Sequence, residues 1–296
     1  MTSLPRARRF DWNNLRLRVV SGALLAPAAL LIVWLDWWNY LPFLVLVSVA
    51  VSLLSYEWAV MVAPKAPARV AVVLMLFVLA VIFIAYEAPP APQEPARLDY
   101  IWSAVAMIAV GALAAAAVSR GVTPRAMDAA YGVLYIAPAC LAIIWLHETR
   151  QGPGWTVMLL ATTWAADIVA YVAGNALKGP KLWPRFSPNK TWSGFFGGLV
   201  GAVAAAVGVA GIPLPTDGQP LIHLSLAGAA LVGLIGGLAT MMGDLWESML
   251  KRRFGVKDSG DLIPGHGGLL DRVDGLMFAT IVFAAARLIV FLGWAH

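Results

Sequence analysis

Charge is scarce in this 296-residue chain: Asp, Glu, Lys and Arg together make up 12% of it, against about 25% in ordinary soluble domains. That shortage excludes a conventional water-soluble globule, and a hydrophobic share of 60% shows what takes its place. Cysteine is nearly absent. The single Cys140 excludes an intrachain disulfide, and its position inside an apolar run makes it a small packing residue. No small-residue cleavage pattern follows the basic N-terminal tail. The chain continues instead into Trp34, Asp36, Trp37 and Trp38, so the first apolar run reads as an uncleaved span with interfacial aromatics behind it. No internal repeat is evident.

Long apolar runs are what the chain has. A hydrocarbon core of about 30 Å needs roughly 17 or more apolar residues in a helix. Nine runs qualify or come close: Val19–Leu35, Leu41–Leu54, Val70–Tyr86, Ile101–Val118, Ala129–Leu146, Trp155–Ala173, Gly194–Gly211, Leu224–Met242 and Leu276–Trp294, the second being short. The expected fold is an all-α polytopic membrane protein of about nine transmembrane helices. With the N-terminus in the cytoplasm, only Arg97 and Arg150 fall outside, and Arg287 falls within the last helix. So strong a positive-inside bias predicts a cytoplasmic N-terminus and an external C-terminus. The net charge of +5 then follows from orientation and attraction to anionic lipid, and needs no nucleic-acid partner.

Polar residues are unevenly placed. Residues 1–125 read as a transmembrane scaffold with plain loops, including the Pro-rich external stretch Glu87–Asp99. Residues 126–296 read as the catalytic region. Its two large cytoplasmic loops, 175–193 and 243–275, hold nearly all the unusual polar residues and are expected to build one site. The pairs Gly197–Gly198 and Gly236–Gly237 read as helix-packing features.

Three constellations carry chemistry. If the eighth helix continues beyond the membrane, Asp244, Glu247, Ser248 and Lys251 line one stripe, an acid above a hydroxyl above a lysine. The bland alternative is a solvated helical extension. Next, Pro264–Gly268 is a Gly-rich turn around His266 and Gly267, able to present backbone N–H groups to an anion. It leads into Asp271, Arg272 and Asp274 at the mouth of the ninth helix, where one acid would suffice as a cap. Hard oxygen ligands of this kind select Mg²⁺, which binds one or two carboxylates plus substrate phosphates. Asp244 and Asp271 are placed to reach one ion or an adjacent pair. Zinc is disfavoured, with Cys140 remote and His266 the sole histidine nearby. Third, Asp167 lies inside the sixth run, where an ionisable residue is costly and marks function by default. Its alternative role is a buried partner for Arg287 or a backbone group. The segment Ser187–Trp192 adds hydroxyls and Lys190, which binds phosphate as a point charge.

The stretch Ser248–Asp274, S-x-x-K-R-x-x-x-x-K-D-S-G-x-x-x-P-G-H-G-G-x-x-D-R-x-D, resembles the signature of the phosphatidate cytidylyltransferases (CDP-diacylglycerol synthases). Trp164, Asp167, Ala170, Tyr171 and Gly174 resemble the same family, as do Ser187, Pro188, Lys190, Thr191, Trp192 and Gly194. The resemblance is strong over about Trp155–Leu292. Ser193 departs from it, since many relatives carry an acid or amide there. The resemblance implies transfer of CMP from CTP to phosphatidate, Mg²⁺ as cofactor, a homodimer, and a multi-pass protein of the bacterial inner membrane. It associates the metal with Asp244 and Asp271. Together these readings assign Mg²⁺ to Asp244, Asp271 and Asp274, and phosphate neutralisation to Lys251, Arg252, Lys257 and Arg272. Ser187, Lys190, Thr191, Ser248, His266, Gly267 and Asp167 are expected to bind substrate. Two other readings stand beside this one. A CDP-alcohol phosphatidyltransferase lacks its expected D-G-x-x-A-R arrangement here. A transporter of an anionic lipid or metabolite would use Asp167 and Arg287 near the midplane.

Overall fold

The computed structural model describes residues 26–34, 41–87, 97–148, 151–213, 221–260, 262 and 267–291. Among these, nine segments are helical: α1 (residues 26–34), α2 (Leu41–Val62), α3 (Pro67–Glu87), α4 (Arg97–Ser119), α5 (Ala126–Glu148), α6 (Gly152–Leu177), α7 (Trp192–Ala210), α8 (Leu226–Arg253) and α9 (Leu270–Phe291). Eight of them, α2 to α9, have stretches long and apolar enough to cross a membrane. The first expected span falls largely outside the described residues, where only its 26–34 portion is seen to be helical.

Four boundaries differ from the sequence reading. Helix α2 does not stop at Leu54 but runs on through Ser55, Glu57 and Trp58, all buried. Helix α4 starts at Arg97, so Asp99 belongs to a helix and not to the preceding loop. Helix α8 continues to Arg253, and its last turn carries Lys251, Arg252 and Arg253, where the helix dipole favours cations. Helix α9 opens at Leu270 and so includes Asp271 and Asp274.

The all-α expectation also omitted one element. Strands β1 (Lys181–Trp183) and β2 (Ser187–Thr191) form an antiparallel hairpin between α6 and α7, with Lys181 opposite Thr191 and Trp183 opposite Ser187. The hairpin is closed at its base by Trp192 N–H donating to the Pro180 carbonyl (2.9 Å). A left-handed Lys178 (φ 47°) ends α6 and turns the chain into it. Extended, Pro-punctuated Lys-Leu-Trp and Ser-Pro-Asn-Lys-Thr can pair here because the segment lies beyond the helix ends, where a backbone ladder replaces the intrahelical bonds.

Packing falls into two apolar clusters. One is built mainly from α2, α3, α4 and α5, with Trp58, Leu74 and Ile136 fully buried. The other joins α6, α7, α8 and α9 around Trp155, Met158, Leu159 and Phe283. Helix α9 contributes to both. Small residues set the approach of α6, α7 and α8, since a side chain added at Gly201 would press on the Ala165 carbonyl and one at Gly237 on Ala202.

Candidate active site

Helices α8 and α9 approach closely in the site. A Cβ placed on Gly243 would stand 2.5 Å from the Asp274 carbonyl oxygen and 2.9 Å from the Gly275 Cα. No larger residue fits at Gly243 without moving backbone. The two glycines let the helices touch just where each carries an acid, Asp244 on α8 and Asp274 on α9. Helix α6 and the hairpin complete the wall.

The result is a cavity of about 300 Å³ lined by Asp167, Lys190, Asp244, Glu247, Ser248, Lys251, Asp271, Arg272 and Asp274. Five carboxylates thus face three cations. Lys190, near the end of β2, donates to Asp244 Oδ2, so the hairpin reaches across to α8. Lys251 Nζ lies 2.5 Å from Asp271 Oδ1 and 3.0 Å from Glu247 Oε2, tying α8 to α9. Asp271 Oδ2 accepts the Ser259 N–H at 3.1 Å. Asp274 accepts from the Gly275 N–H (2.7 Å), and its carboxyl group lies beside that of Glu247. The other Glu247 oxygen, Oε1, is buried with no hydrogen-bond donor. Two loops far apart in sequence therefore meet in one site, and the stripe Asp244–Glu247–Ser248–Lys251 does line it.

Asp167 lies about ten residues before the end of α6 and has Asp244, Lys190 and Arg272 as its charged neighbours. Arg287 stands elsewhere, its guanidinium 5.6 Å from the Trp155 ring centroid.

The remaining expected residues take other places. Ser187, Thr191, Arg252, Lys257 and Gly267 are not part of the cavity lining. Thr191 caps α7: its hydroxyl accepts the Gly194 N–H at 3.1 Å. Ser193 accepts the Gly179 N–H at 3.2 Å and meets the Thr191 hydroxyl at 3.1 Å, so the departing residue serves the hairpin base. Ser187 opens β2. Arg252 is exposed and donates to the Val256 carbonyl, and Lys257 is exposed. Gly267 takes a left-handed φ of 80° close to Asp271, a conformation that suits glycine. His266 lies outside the described residues.

The donors suit a hard divalent cation. Carboxylate oxygens are in excess, and Glu247 Oε1 is a buried acceptor without a donor. Among the described residues no three acids already converge as a ligand set.

Two acids go beyond the sequence reading, Glu247 in the cavity wall and Glu57 behind it. Glu247 was placed on the stripe but given no role. Glu57 of α2 is almost fully buried and accepts backbone N–H groups at the start of α9. A lone acid in an apolar run was the available signal, and the rule applied to Asp167 applies equally to Glu57.

Known proteins resemble the chain along most of its length. A protein named phosphatidate cytidylyltransferase from Brucella abortus is 36% identical over 274 residues, which is 90% of this chain and 91% of that protein. Proteins of the same name from Pseudomonas aeruginosa and Staphylococcus epidermidis are 40% and 38% identical over 154 and 153 residues, about half of this chain. A family model described as the cytidylyltransferase family matches residues 16–290, which include every residue lining the cavity, and the chain belongs to that family.

Proposed function

We propose that the protein is a Mg²⁺-dependent phosphatidate cytidylyltransferase working at the cytoplasmic face of the bacterial inner membrane. A phosphate oxygen of phosphatidate attacks the α-phosphorus of CTP. The new P–O bond forms as the bond to the β-phosphate oxygen breaks, giving CDP-diacylglycerol and pyrophosphate. The observation that carries this reading is the cavity itself, where acids and cations from α6, the hairpin, α8 and α9 converge at one end of the bundle.

Phosphoryl-type transfer depends mainly on positioning and charge neutralisation. Lys190, Lys251 and Arg272 supply positive charge to the nucleotide phosphates and the phosphatidate headgroup. Lys190 and Lys251 neutralise Asp244 and Asp271. An arriving polyphosphate would offer both ammonium groups a second anionic partner, freeing carboxylate oxygens of Asp244 and Asp271. Asp244 and Asp271, with Asp274 and Glu247 beside them, would hold Mg²⁺, which when bound neutralises charge on the leaving pyrophosphate. The nucleophile is already anionic, so no strong base is required. Because the cavity opens at the end of membrane-crossing helices, the acyl chains can stay in the bilayer while the headgroup enters. A transporter reading gains less, because the acids gather at one end of the bundle rather than along a central path.

The test is pyrophosphate release by purified protein in detergent. Release that needs CTP, phosphatidate and Mg²⁺ together is the expected result. Folded protein that releases none with any nucleotide, yet moves an anionic lipid or metabolite across vesicles, would overturn it.

A further inference from the structure

Glu57 sits in α2, a helix that contributes nothing to the cavity lining. Its side chain is 1% exposed. Both carboxylate oxygens are nonetheless engaged with the far end of the chain. Oε1 accepts the Leu269 N–H and Oε2 the Leu270 N–H, each at 2.7 Å. Ser259, itself buried, points its hydroxyl at Oε2 from 3.4 Å. These are the first backbone donors of α9, which have no intrahelical partner and favour a negative charge.

The bonds do not end there. The Ser259 N–H holds Asp271 Oδ2, Lys251 holds Asp271 Oδ1, and Glu247 holds Lys251. One continuous chain of bonds therefore runs from α2 through the 259 turn and α9 into the cavity on α8. The glycines around it leave no slack. A Cβ on Gly268 would fall 1.9 Å from Ser259 Oγ and 3.0 Å from Glu57 Oε2, and one on Gly260 would meet Glu57 Cγ at 3.3 Å.

We infer that Glu57 is a positioning residue for the transfer reaction: it clamps the start of α9 and the Ser259 turn so that Asp271 is held in place for metal and phosphate. This rests on the cytidylyltransferase reading above. A carboxylate suits the role because two N–H groups converge on it. An amide of the same shape would turn its own NH₂ against one of them.

The experiment compares full-length wild type with Glu57→Gln, both purified in detergent, by Mg²⁺ titration of pyrophosphate release and by amide hydrogen exchange. The variant is expected to raise the Mg²⁺ concentration for half-maximal activity about 10-fold or more, as loss of a residue orienting a metal ligand does. It should also lose protection at Leu269 and Leu270, while the middles of α2 and α9 stay protected. A purely structural role would lower the amount of active protein and leave the Mg²⁺ response unchanged. An unchanged Mg²⁺ response, or wild-type protection at those two amides, would overturn the inference. If Glu57→Gln exchanges throughout, Gly268→Ala carries the test, because its Cβ must push the Ser259 turn off Glu57. A wild-type Mg²⁺ response in that variant would overturn the inference as well. The exchange measurement reads the clamp even if wild type shows no CTP-dependent reaction, so failure of the clamp and failure of the reaction assignment are distinguishable.

Discussion

Gly243 and Gly275 face each other across the α8–α9 contact so closely that a methyl group on the first would come within 2.9 Å of the Cα of the second. Their neighbours Asp244 and Asp274 are both cavity-lining acids. Without this contact the helices carrying the two acids would stand further apart. The site depends on the absence of two side chains as much as on the presence of nine.

Gly243→Ala should therefore cost both stability and activity. The obstructing atoms are backbone, which cannot swing aside, and overpacking of this kind costs about 1–3 kcal/mol. A lowered melting temperature in detergent and a reduced rate of pyrophosphate release are the expected results. Gly208→Ala in α7 is the control. No atom lies within 4 Å of its added Cβ, and removing a helix-interior glycine is expected to leave stability unchanged or raise it by up to about 1 kcal/mol.

Asp244→Asn and Asp271→Asn test the carboxylates directly. Each keeps the shape and removes the charge. Loss of one group that stabilises charge during transfer costs about 10²–10³-fold in rate. Asp271→Asn leaves Lys251 paired with Glu247 at 3.0 Å but turns an NH₂ against either Lys251 or the Ser259 N–H, so its melting temperature is read beside its turnover. Asp244→Asn weakens the tie to the hairpin, so limited proteolysis around residues 181–191 should rise along with the loss of activity. Near-normal turnover in either well-folded variant would remove that acid from the site.

Lys190 separates charge from geometry. Its half-buried ammonium meets Asp244 from the end of β2. Lys190→Met should slow turnover about 10- to 100-fold, matching the roughly 1.5–3 kcal/mol of a hydrogen bond to a charged group. Lys190→Arg keeps the charge but brings a planar fork in place of a compact ammonium, and the two are not interchangeable where one oxygen is the target. Its turnover should stay well below wild type. Full activity in the arginine variant would show that only the charge matters.

The spans were legible because bilayer thickness imposes a length that apolar runs either meet or miss. Helix α2 read as short for an instructive reason. The apolar run ends at Leu54, yet Glu57 beyond it is buried with its charge met by backbone N–H groups from residues more than 200 positions away. No local pattern announces a partner at that separation. The stripe on α8 was legible because helical periodicity fixes which residues share a face, and the signature from Ser248 to Asp274 is dense in acids and cations. The hairpin was not legible: two short strands punctuated by proline leave hardly any period-2 signal. Its consequence was a mixed reading of Ser187–Thr191, in which Lys190 does reach the cavity while the Thr191 hydroxyl is spent on capping α7. The exposure of Arg252 and Lys257 beside half-buried Lys251 likewise follows from which face of α8, and which side of the turn beyond it, meets α9.

That division among neighbouring cations yields the last prediction. Arg253 and Lys251 are two residues apart at the end of α8, and both would count equally if this end of the protein merely needed positive charge. Their surroundings differ. Lys251 lies between Glu247 and Asp271 in the cavity. Arg253 is half-exposed, pairs with Asp128 at the start of α5, and lines no part of the cavity. An exposed ion pair contributes about 0–1 kcal/mol, so Arg253→Ala should shift the melting temperature slightly and leave turnover within about twofold of wild type. Lys251→Met should abolish most turnover, since it leaves two acids without their shared cation. Equal losses in the two variants would mean that charge at this end acts through the membrane surface rather than through the cavity. The expected split would tie the chemistry to the cavity alone.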